Sequence, residues 1–334
     1  MKRVTSLICL SLLALGAAAA FGQTAVPDKH APQPASQSPP VKMRATLGIV
    51  AAAGEDGSHI AAQFIREAAA RSIELVQADT AIREKGQIEA CRDLIARKVK
   101  MVIVFPESES GWETLLAEAH ASAIPIIAIN RPIQCSNEKH KPVLIIPDFE
   151  QQGLLAAKWI VKILKGTGGV LEIRGVEGST PSIERQSGFM AQLGRNRKLE
   201  PLGSIGQRSD DAALRSRLDD LLATRGEKLR AIFTHDARGA RVAAAAIAAS
   251  TLPEKDRIGI IAIDSGEGLT GVFKASAPGA SVECEPNAAR VLLDAIDRAL
   301  LGDPLPPVIP LRSVVIERHA PAAPATPPQP RSDK

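Results

Sequence analysis

The sequence is poor in aromatic residues: seven Phe, two Trp and no Tyr make up 3% of its 334 residues. A ligand site walled by aromatic rings therefore has few candidates. An excess of one charge is also missing, because 41 Lys and Arg residues stand against 37 Asp and Glu residues. This balance gives no electrostatic case for binding nucleic acid. The 45% of apolar residues is enough to fill a folded core, which excludes a disordered chain.

Cysteine is also scarce, and the four present form no Cys-x-x-Cys pair, so neither a redox motif nor a zinc motif is indicated. Cys91 lies on the apolar stripe of a predicted helix, where a free thiol is usually a small buried side chain. A disulfide between Cys135 and Cys284 and two separate thiols both remain open, since the sequence does not give the distance between them.

Long apolar runs are absent except at the amino terminus. Residues 4–20 are almost wholly apolar, follow Lys2 and Arg3, and lead into Ala20-Phe21-Gly22. This pattern predicts a cleaved signal peptide over residues 1–22 and a periplasmic mature protein. A membrane anchor is the alternative, but the run is short for a bilayer span and no cationic flank follows it.

Proline marks both ends of the mature chain. Residues 23–43 and residues 319–334 each hold five prolines among small and polar residues. The first stretch is typical of a linker and the second of a disordered tail. The folded body is therefore expected between residues 44 and 318.

Within this body, short apolar runs rich in β-branched residues alternate with longer segments of helical period. The predicted strands are 46–50, 73–77, 101–105, 124–129, 143–146, 170–173, 231–234 and 258–263. Such alternation is typical of an α/β fold with parallel sheets. Two successive sets of these units predict two doubly wound parallel-sheet lobes joined by a hinge.

Polar residues follow most of the predicted strands. Asn130 and Arg131 follow the fourth strand, Asp236 the seventh and Asp264 the eighth. In open parallel sheets ligands bind beyond the carboxyl ends of the strands. Arginine donates through a planar fork and carboxylates accept from hydroxyls, so this set suits a polyhydroxyl ligand. The alternative for each Asp or Asn is that it caps the next helix.

Several stretches, in order along the body, resemble the type 1 periplasmic sugar-binding proteins of ABC importers, the group that includes galactofuranose-binding and ribose-binding proteins. They are residues 87–90 (QIEA), 111–119 (GWETLLAEA), 130–133 (NRPI), 183–189 (IERQSGF), 233–236 (FTHD), 263–266 (IDSG) and 281–283 (SVE). The resemblance implies an amino-terminal lobe of residues 44–146 plus 285–303. It implies a carboxyl-terminal lobe of residues 147–284 plus 304–318.

The resemblance also implies the ligand-binding residues. Arg131 and Arg185 correspond to the sugar-clamping arginines, Asp264 to an acidic hydroxyl acceptor, and Glu283 to a polar ligand group. Asn130 and Asp236 stand where the family commonly has Asp-Arg and His-Asn-Asp.

The segment after the first strand supplies two further candidates. Ser58 or His59 replaces the family's stacking aromatic residue there. We expect ligand contacts from Asp56 and His59. The alternative for Asp56 is a favourable interaction with the dipole of a helix that begins near it. The alternative for His59 is a solvated position at the start of that helix.

The function that the resemblance implies is that of a monomeric periplasmic receptor without cofactor or metal. It would capture a small monosaccharide, furanose or pyranose, between its lobes and deliver it to the membrane permease of an ABC importer. The alternative is a receptor for a membrane sensor kinase or chemoreceptor. We expect no enzyme, because the sequence holds no Gly-x-Ser-x-Gly, His-Glu-x-x-His or complete P-loop motif.

Overall fold

The computed structural model describes residues 45–318, with gaps at 52–54, 72, 79–84, 207–209, 254–256, 264–268, 270, 274–276 and 285–287. The predicted signal peptide, linker and tail lie outside the described residues. In the part of the chain that is described, no helix is long and apolar enough to cross a membrane.

The first half of the body alternates strands and helices. Its elements are β1 (Thr46–Val50), α1 (Glu55–Ala70), β2 (Glu74–Gln77), α2 (Lys85–Ala96), β3 (Val102–Val104), α3 (Glu113–Ala121), β4 (Ile126–Ile129) and β5 (Val143–Pro147). A short 3₁₀ turn, Glu138–His140, precedes β5.

The second half repeats the alternation and then returns to the first. Its elements are α4 (Phe149–Leu164), β6 (Gly168–Arg174), α5 (Thr180–Leu193), β7 (Leu199–Gly206), α6 (Asp211–Arg225), β8 (Leu229–Thr234), α7 (Ala237–Ala249), β9 (Gly259–Ile263) and β10 (Gly279–Cys284). They are followed by α8 (Ala288–Leu300), β11 (Val308–Leu311) and β12 (Ser313–Arg318).

The strands form two six-stranded sheets, ordered β2-β1-β3-β4-β5-β11 and β7-β6-β8-β9-β10-β12. All strand pairs are parallel except that of β10 with β12. Helices cover both faces of each sheet. In the first lobe α1 and α8 lie on one face and α2 and α3 on the other. In the second lobe α4 and α5 lie on one face and α6 and α7 on the other. The predicted fold of two doubly wound lobes is confirmed.

The carboxyl-terminal strands divide between the lobes. Residues 304–318 were assigned from the sequence to the second lobe, but β11 pairs in parallel with β5 of the first sheet. β12 pairs with β10 of the second sheet. The assignment is therefore corrected at β11, and the chain passes from one sheet to the other around Arg312.

The eight predicted strands are all present, with small differences at their ends. Four more, β7, β10, β11 and β12, were not predicted. Cys91 is fully buried in the first core, as its position on the apolar stripe predicts, and burial raises the pKa of its thiol to about 12.

Candidate functional site

The loop at the carboxyl end of β3 is held by hydrogen bonds from buried side chains. Gln87, fully buried on α2, donates to the carbonyl of Phe105 at 2.9 Å and accepts from the Glu107 N–H at 2.9 Å. The Trp112 indole donates to the Ser108 carbonyl at 2.9 Å. Trp112 is only 2% exposed, so it packs in the core below the loop and is not part of a binding surface.

Asn130 and Arg131 follow β4 directly. Asn130 lies in the left-handed region, with φ of 65°, which Asn tolerates better than most residues. Its N–H donates to the carbonyl of Ile145 at 3.0 Å, which fixes the turn. Arg131 is half-buried, and no hydrogen bond or ion pair joins its guanidinium to any other described residue. The structure therefore places the Arg131 guanidinium at the carboxyl end of the first sheet, on a backbone turn that is itself fixed.

Arg185, on α5, is bound by its own lobe. Its Nε donates to Gln152 Oε1 at 2.9 Å and its Nη1 donates to the carbonyl of His235 at 3.1 Å. Its guanidinium carbon lies 5.3 Å from the centre of the Phe149 ring. These partners were not predicted from the sequence, because they come from α4 and from the end of β8.

Two glycines bring α4 and α5 together closely enough for these contacts. A Cβ added to Gly153 would lie 1.9 Å from the Arg185 carbonyl oxygen. One added to Gly188 would lie 1.9 Å from the carbonyl oxygen of Glu150. Glycine at both positions is therefore needed to seat Arg185 beside Gln152.

A buried polar network lies beneath Arg185. His235 Nε2 is 3.0 Å from Glu172 Oε1, and both side chains are about 2% exposed. Gln186 donates to the other Glu172 oxygen at 3.1 Å and accepts from Arg174 Nη1 at 3.3 Å. Burial lowers the pKa of His235, while its hydrogen bond to Glu172 opposes that shift. The ring is therefore neutral at pH 7, with its Nε2–H donating to Glu172.

The two other described candidates of the second lobe have structural partners. Asp236 caps α7, because its Oδ1 accepts from the Gly239 N–H at 2.7 Å. The Glu283 carboxylate accepts from the Ser281 hydroxyl and from the Arg318 guanidinium, which joins β10 to β12. The structure therefore accounts for part of the hydrogen bonding of each carboxylate.

Three candidates lie outside the described part of the chain. They are Asp264, which follows β9, and the side chains of Asp56 and His59 in the first turns of α1. In the described part, no three His, Cys, Asp or Glu side chains group closely enough to hold a metal ion. Cys135 is a free thiol 3.3 Å from the carbonyl of Asn137, and the side chain of Cys284 is not described.

Within the described ranges, a hydrogen-bonded contact connects the two lobes at the carboxyl ends of their strands. Glu109, in the loop after β3, accepts from the N–H of Thr180 at 3.0 Å and from its hydroxyl at 2.8 Å. Thr180 is the first residue of α5. Neither residue was singled out from the sequence, because 71 positions separate them and no motif contains both.

Comparison with known proteins agrees with this architecture. Residues 49–282 match the family model described as the periplasmic binding protein domain. The chain is 27% identical over 266 residues to the galactofuranose-binding protein YtfQ of Escherichia coli K12, covering 76% of this chain and 81% of that protein.

Two of the solved structures that are similar to this one illustrate the shared fold. One is the periplasmic binding protein component of the arabinose ABC transporter from Shewanella sp. ANA-3, bound to α- and β-L-arabinofuranose. It has a TM-score of 0.69 and 25% identity, over 81% of this chain and 91% of that one. The other is the fructose-binding periplasmic domain of a hybrid two-component system, with a TM-score of 0.67 and 23% identity over 82% and 91% of the two chains.

A family match over more than half of the chain, together with two doubly wound lobes, defines the class of protein. The chain belongs to the periplasmic binding protein family, and its structure has the type 1 fold.

Proposed function

We propose that this protein is a periplasmic receptor that binds a small monosaccharide between its lobes and delivers it to the permease of an ABC importer. The observation that carries the proposal is the half-buried guanidinium of Arg131, mounted after β4 with no partner among the described residues. A planar fork of donors suits ring and hydroxyl oxygens. The galactofuranose-binding and arabinofuranose-bound relatives make a furanose the first ligand to test.

In this proposal the second lobe supplies Arg185, Asp236, Asp264 and Glu283. A guanidinium has five N–H groups. Gln152 and the His235 carbonyl accept hydrogen bonds from two of those of Arg185. These bonds fix its orientation before a ligand arrives, which lowers the entropy lost on binding.

A thermal-shift screen of the exported protein against furanoses, pentoses, hexoses and polyols tests the proposal. A ligand that binds only the folded state stabilises it by about 2.7 kcal/mol at a hundredfold excess over its dissociation constant. Calorimetry with the best ligand then compares Arg131→Ala with Arg97→Ala, which removes an exposed arginine paired with Asp93 on α2. We expect affinity to fall only in Arg131→Ala; equal affinities would contradict this assignment.

The permease of an importer is one of two kinds of membrane protein proposed to recognise the ligand-bound receptor. The fold also occurs in the fructose-binding domain of a hybrid two-component system, so a membrane sensor kinase or chemoreceptor is the alternative partner. Stimulated ATP hydrolysis by a reconstituted importer supports transport, whereas stimulated phosphorylation of a sensor supports signalling.

The proposal makes the protein a binding protein and not an enzyme. The sugar should therefore be recovered chemically unchanged after prolonged incubation with the protein, as judged by nuclear magnetic resonance. The export prediction is checked by the mass of the protein from the periplasmic fraction, which should correspond to a chain beginning at Gln23.

A further inference from the structure

The contact between Glu109 and Thr180 completes a helix end that its own lobe leaves open. α4, α6 and α7 begin with Asp148, Asp210 and Asp236, whose carboxylates accept from the helix N–H groups at 2.6 to 2.7 Å. At α5 the corresponding residue is Ser179, which makes no such bond. Its hydroxyl donates to the carbonyl of Val176 at 2.8 Å instead. The first N–H of α5 is therefore satisfied by Glu109 of the other lobe.

The geometry of this contact is that of a strong interaction. The two carboxylate oxygens of Glu109 accept from two different donors of Thr180, at 3.0 and 2.8 Å. Hydrogen bonds to an ionised acceptor are roughly twice as strong as neutral ones, and a carboxylate at a helix amino terminus is further favoured by the helix dipole. Both side chains are partly buried, which reduces screening by solvent.

The loop that carries Glu109 cannot follow α5 if the lobes separate. The Glu109 carbonyl accepts from the Gln134 N–H at 2.7 Å, and the neighbouring Ser108 is held by the indole of Trp112. A hinge motion that moves α5 away from the first lobe must therefore break the contact with Thr180.

The contact also couples the two arginines proposed to bind the ligand. Gln134 lies three residues after Arg131, so the Glu109 loop is fastened to the segment that presents Arg131. Thr180 begins the helix that carries Arg185. When the contact forms, the backbone segments that carry Arg131 and Arg185 are held at a fixed separation.

Neighbouring carboxylates limit the strength of the contact. Burial raises the pKa of Glu184, and the charges of Asp148, Glu150 and Glu109 raise it further. The charge of Glu184 therefore opposes the approach of Glu109 to α5. A contact that a neighbouring like charge weakens can bias a hinge without locking it.

We propose that Glu109 is a positioning residue that acts as a closure latch: by capping α5 across the cleft it raises the population of closed receptor and so raises ligand affinity through Arg131 and Arg185. The effect of Glu109 on ligand affinity rests on the proposed function. The effect of Glu109 on the hinge equilibrium does not depend on it. The apparent dissociation constant rises in inverse proportion to the fraction of receptor in the binding-competent form.

The hinge is measured first, without ligand. Spin labels are attached at Arg97→Cys, in the turn directly after α2, and at Asp219→Cys on α6, in full-length protein that also carries Cys9→Ser, Cys135→Ser and Cys284→Ser. The distance distribution is recorded by double electron–electron resonance. We expect Glu109→Ala to reduce the population at the separation found in this structure at least threefold, and Thr180→Val to reduce it less, because the backbone N–H remains.

The matched control is Ser179→Ala, which removes the adjacent hydroxyl and its bond within the second lobe. It should leave the distribution unchanged. The double variant of Glu109→Ala and Thr180→Val should be no more open than Glu109→Ala alone, because both remove one interaction. If Glu109→Ala lowers the yield of folded protein, the distance distribution of Thr180→Val alone still tests the proposal.

Affinity is measured next, with L-arabinose as the probe, since its solutions contain the furanose form. The loss of affinity in each variant should match its loss of closed population. An unchanged distance distribution in both Glu109→Ala and Thr180→Val overturns the latch whether or not any sugar binds. A shifted distribution with no binding of any sugar supports the latch and counts against the proposed function instead.

Discussion

Glu172 Oε1 lies 3.0 Å from His235 Nε2, and both side chains are almost completely buried between α5 and the second sheet. The pKa of His235 lies below its ordinary value of about 6.5, with burial as the main cause. The folded state therefore binds this proton less readily than the unfolded state, and folding stability falls as pH drops below about 6.5.

We expect the unfolding free energy to decrease between pH 7 and pH 5, and the decrease to be smaller in His235→Gln. Each unit by which the pKa is lowered contributes about 1.4 kcal/mol. The charges of Glu172, Arg185 and Asp236 act on the same ring. Urea unfolding at several pH values measures the effect, with His120→Gln on the exposed end of α3 as control; identical pH profiles for wild type and His235→Gln would contradict it.

Replacing Gly153 should be among the most damaging single changes in the second lobe. The Cβ of Gly153→Ala would lie 1.9 Å from the Arg185 carbonyl oxygen, so α4 and α5 must separate. We expect a loss of roughly 3 kcal/mol or more, together with loss of the Arg185 contacts. In Gly206→Ala the new methyl group meets nothing closer than 3.8 Å, so its melting temperature should remain near that of the wild type.

The two arginines proposed to bind ligand should differ in their effect on folding. Arg185→Ala removes two hydrogen bonds and the contact with Phe149, which should cost about 2 to 4 kcal/mol of stability. Arg131→Ala should change stability by only about 0.5 kcal/mol, because no described residue depends on its guanidinium. Chemical denaturation of both variants without ligand makes the comparison, and equal losses would show that Arg131 has a structural role as well.

The cysteines should differ in reactivity. Cys91 is fully buried with its pKa raised to about 12, so its thiolate is scarce and inaccessible. Cys135 is partly exposed, although burial and the nearby Glu113 also raise its pKa. Maleimide labelling of the folded protein at pH 8, followed by peptide mass analysis, should modify Cys135 well before Cys91; in denaturant the difference should disappear.

The sequence predicted most of the strands whose side chains are buried on both faces, although the buried strand β10 was missed. The runs around Ile127 and Ile261 contain almost no polar residue. Short runs of this kind are typical of parallel strands that are covered on both faces. β7 was missed because Pro201 and Gly203 interrupt it at the edge of the sheet. β11 contains Pro310, which an edge strand tolerates but which weakens the pattern.

The site was predictable only in part, for a physical reason. Arg131 stands directly after a predicted strand, so the carboxyl-edge rule is enough to propose it. The partners of Arg185 come from residues 33 and 50 positions away, and the cap on Thr180 comes from 71 positions away. Contacts between residues so far apart in the sequence depend on how the helices pack over the sheet. The local spacing of apolar residues does not predict that packing.

The arrangement of the last two strands has a consequence for the order of folding. β11 completes one edge of the first sheet and β12 completes an edge of the second, while α8 fills part of the core beside β1. Residues from the beginning of the body must therefore wait for residues beyond position 288 before their core closes. A ribosome that has made three quarters of the chain has made neither lobe in full. We expect such a chain to become compact slowly during synthesis, because neither sheet is complete before its last strand has been made.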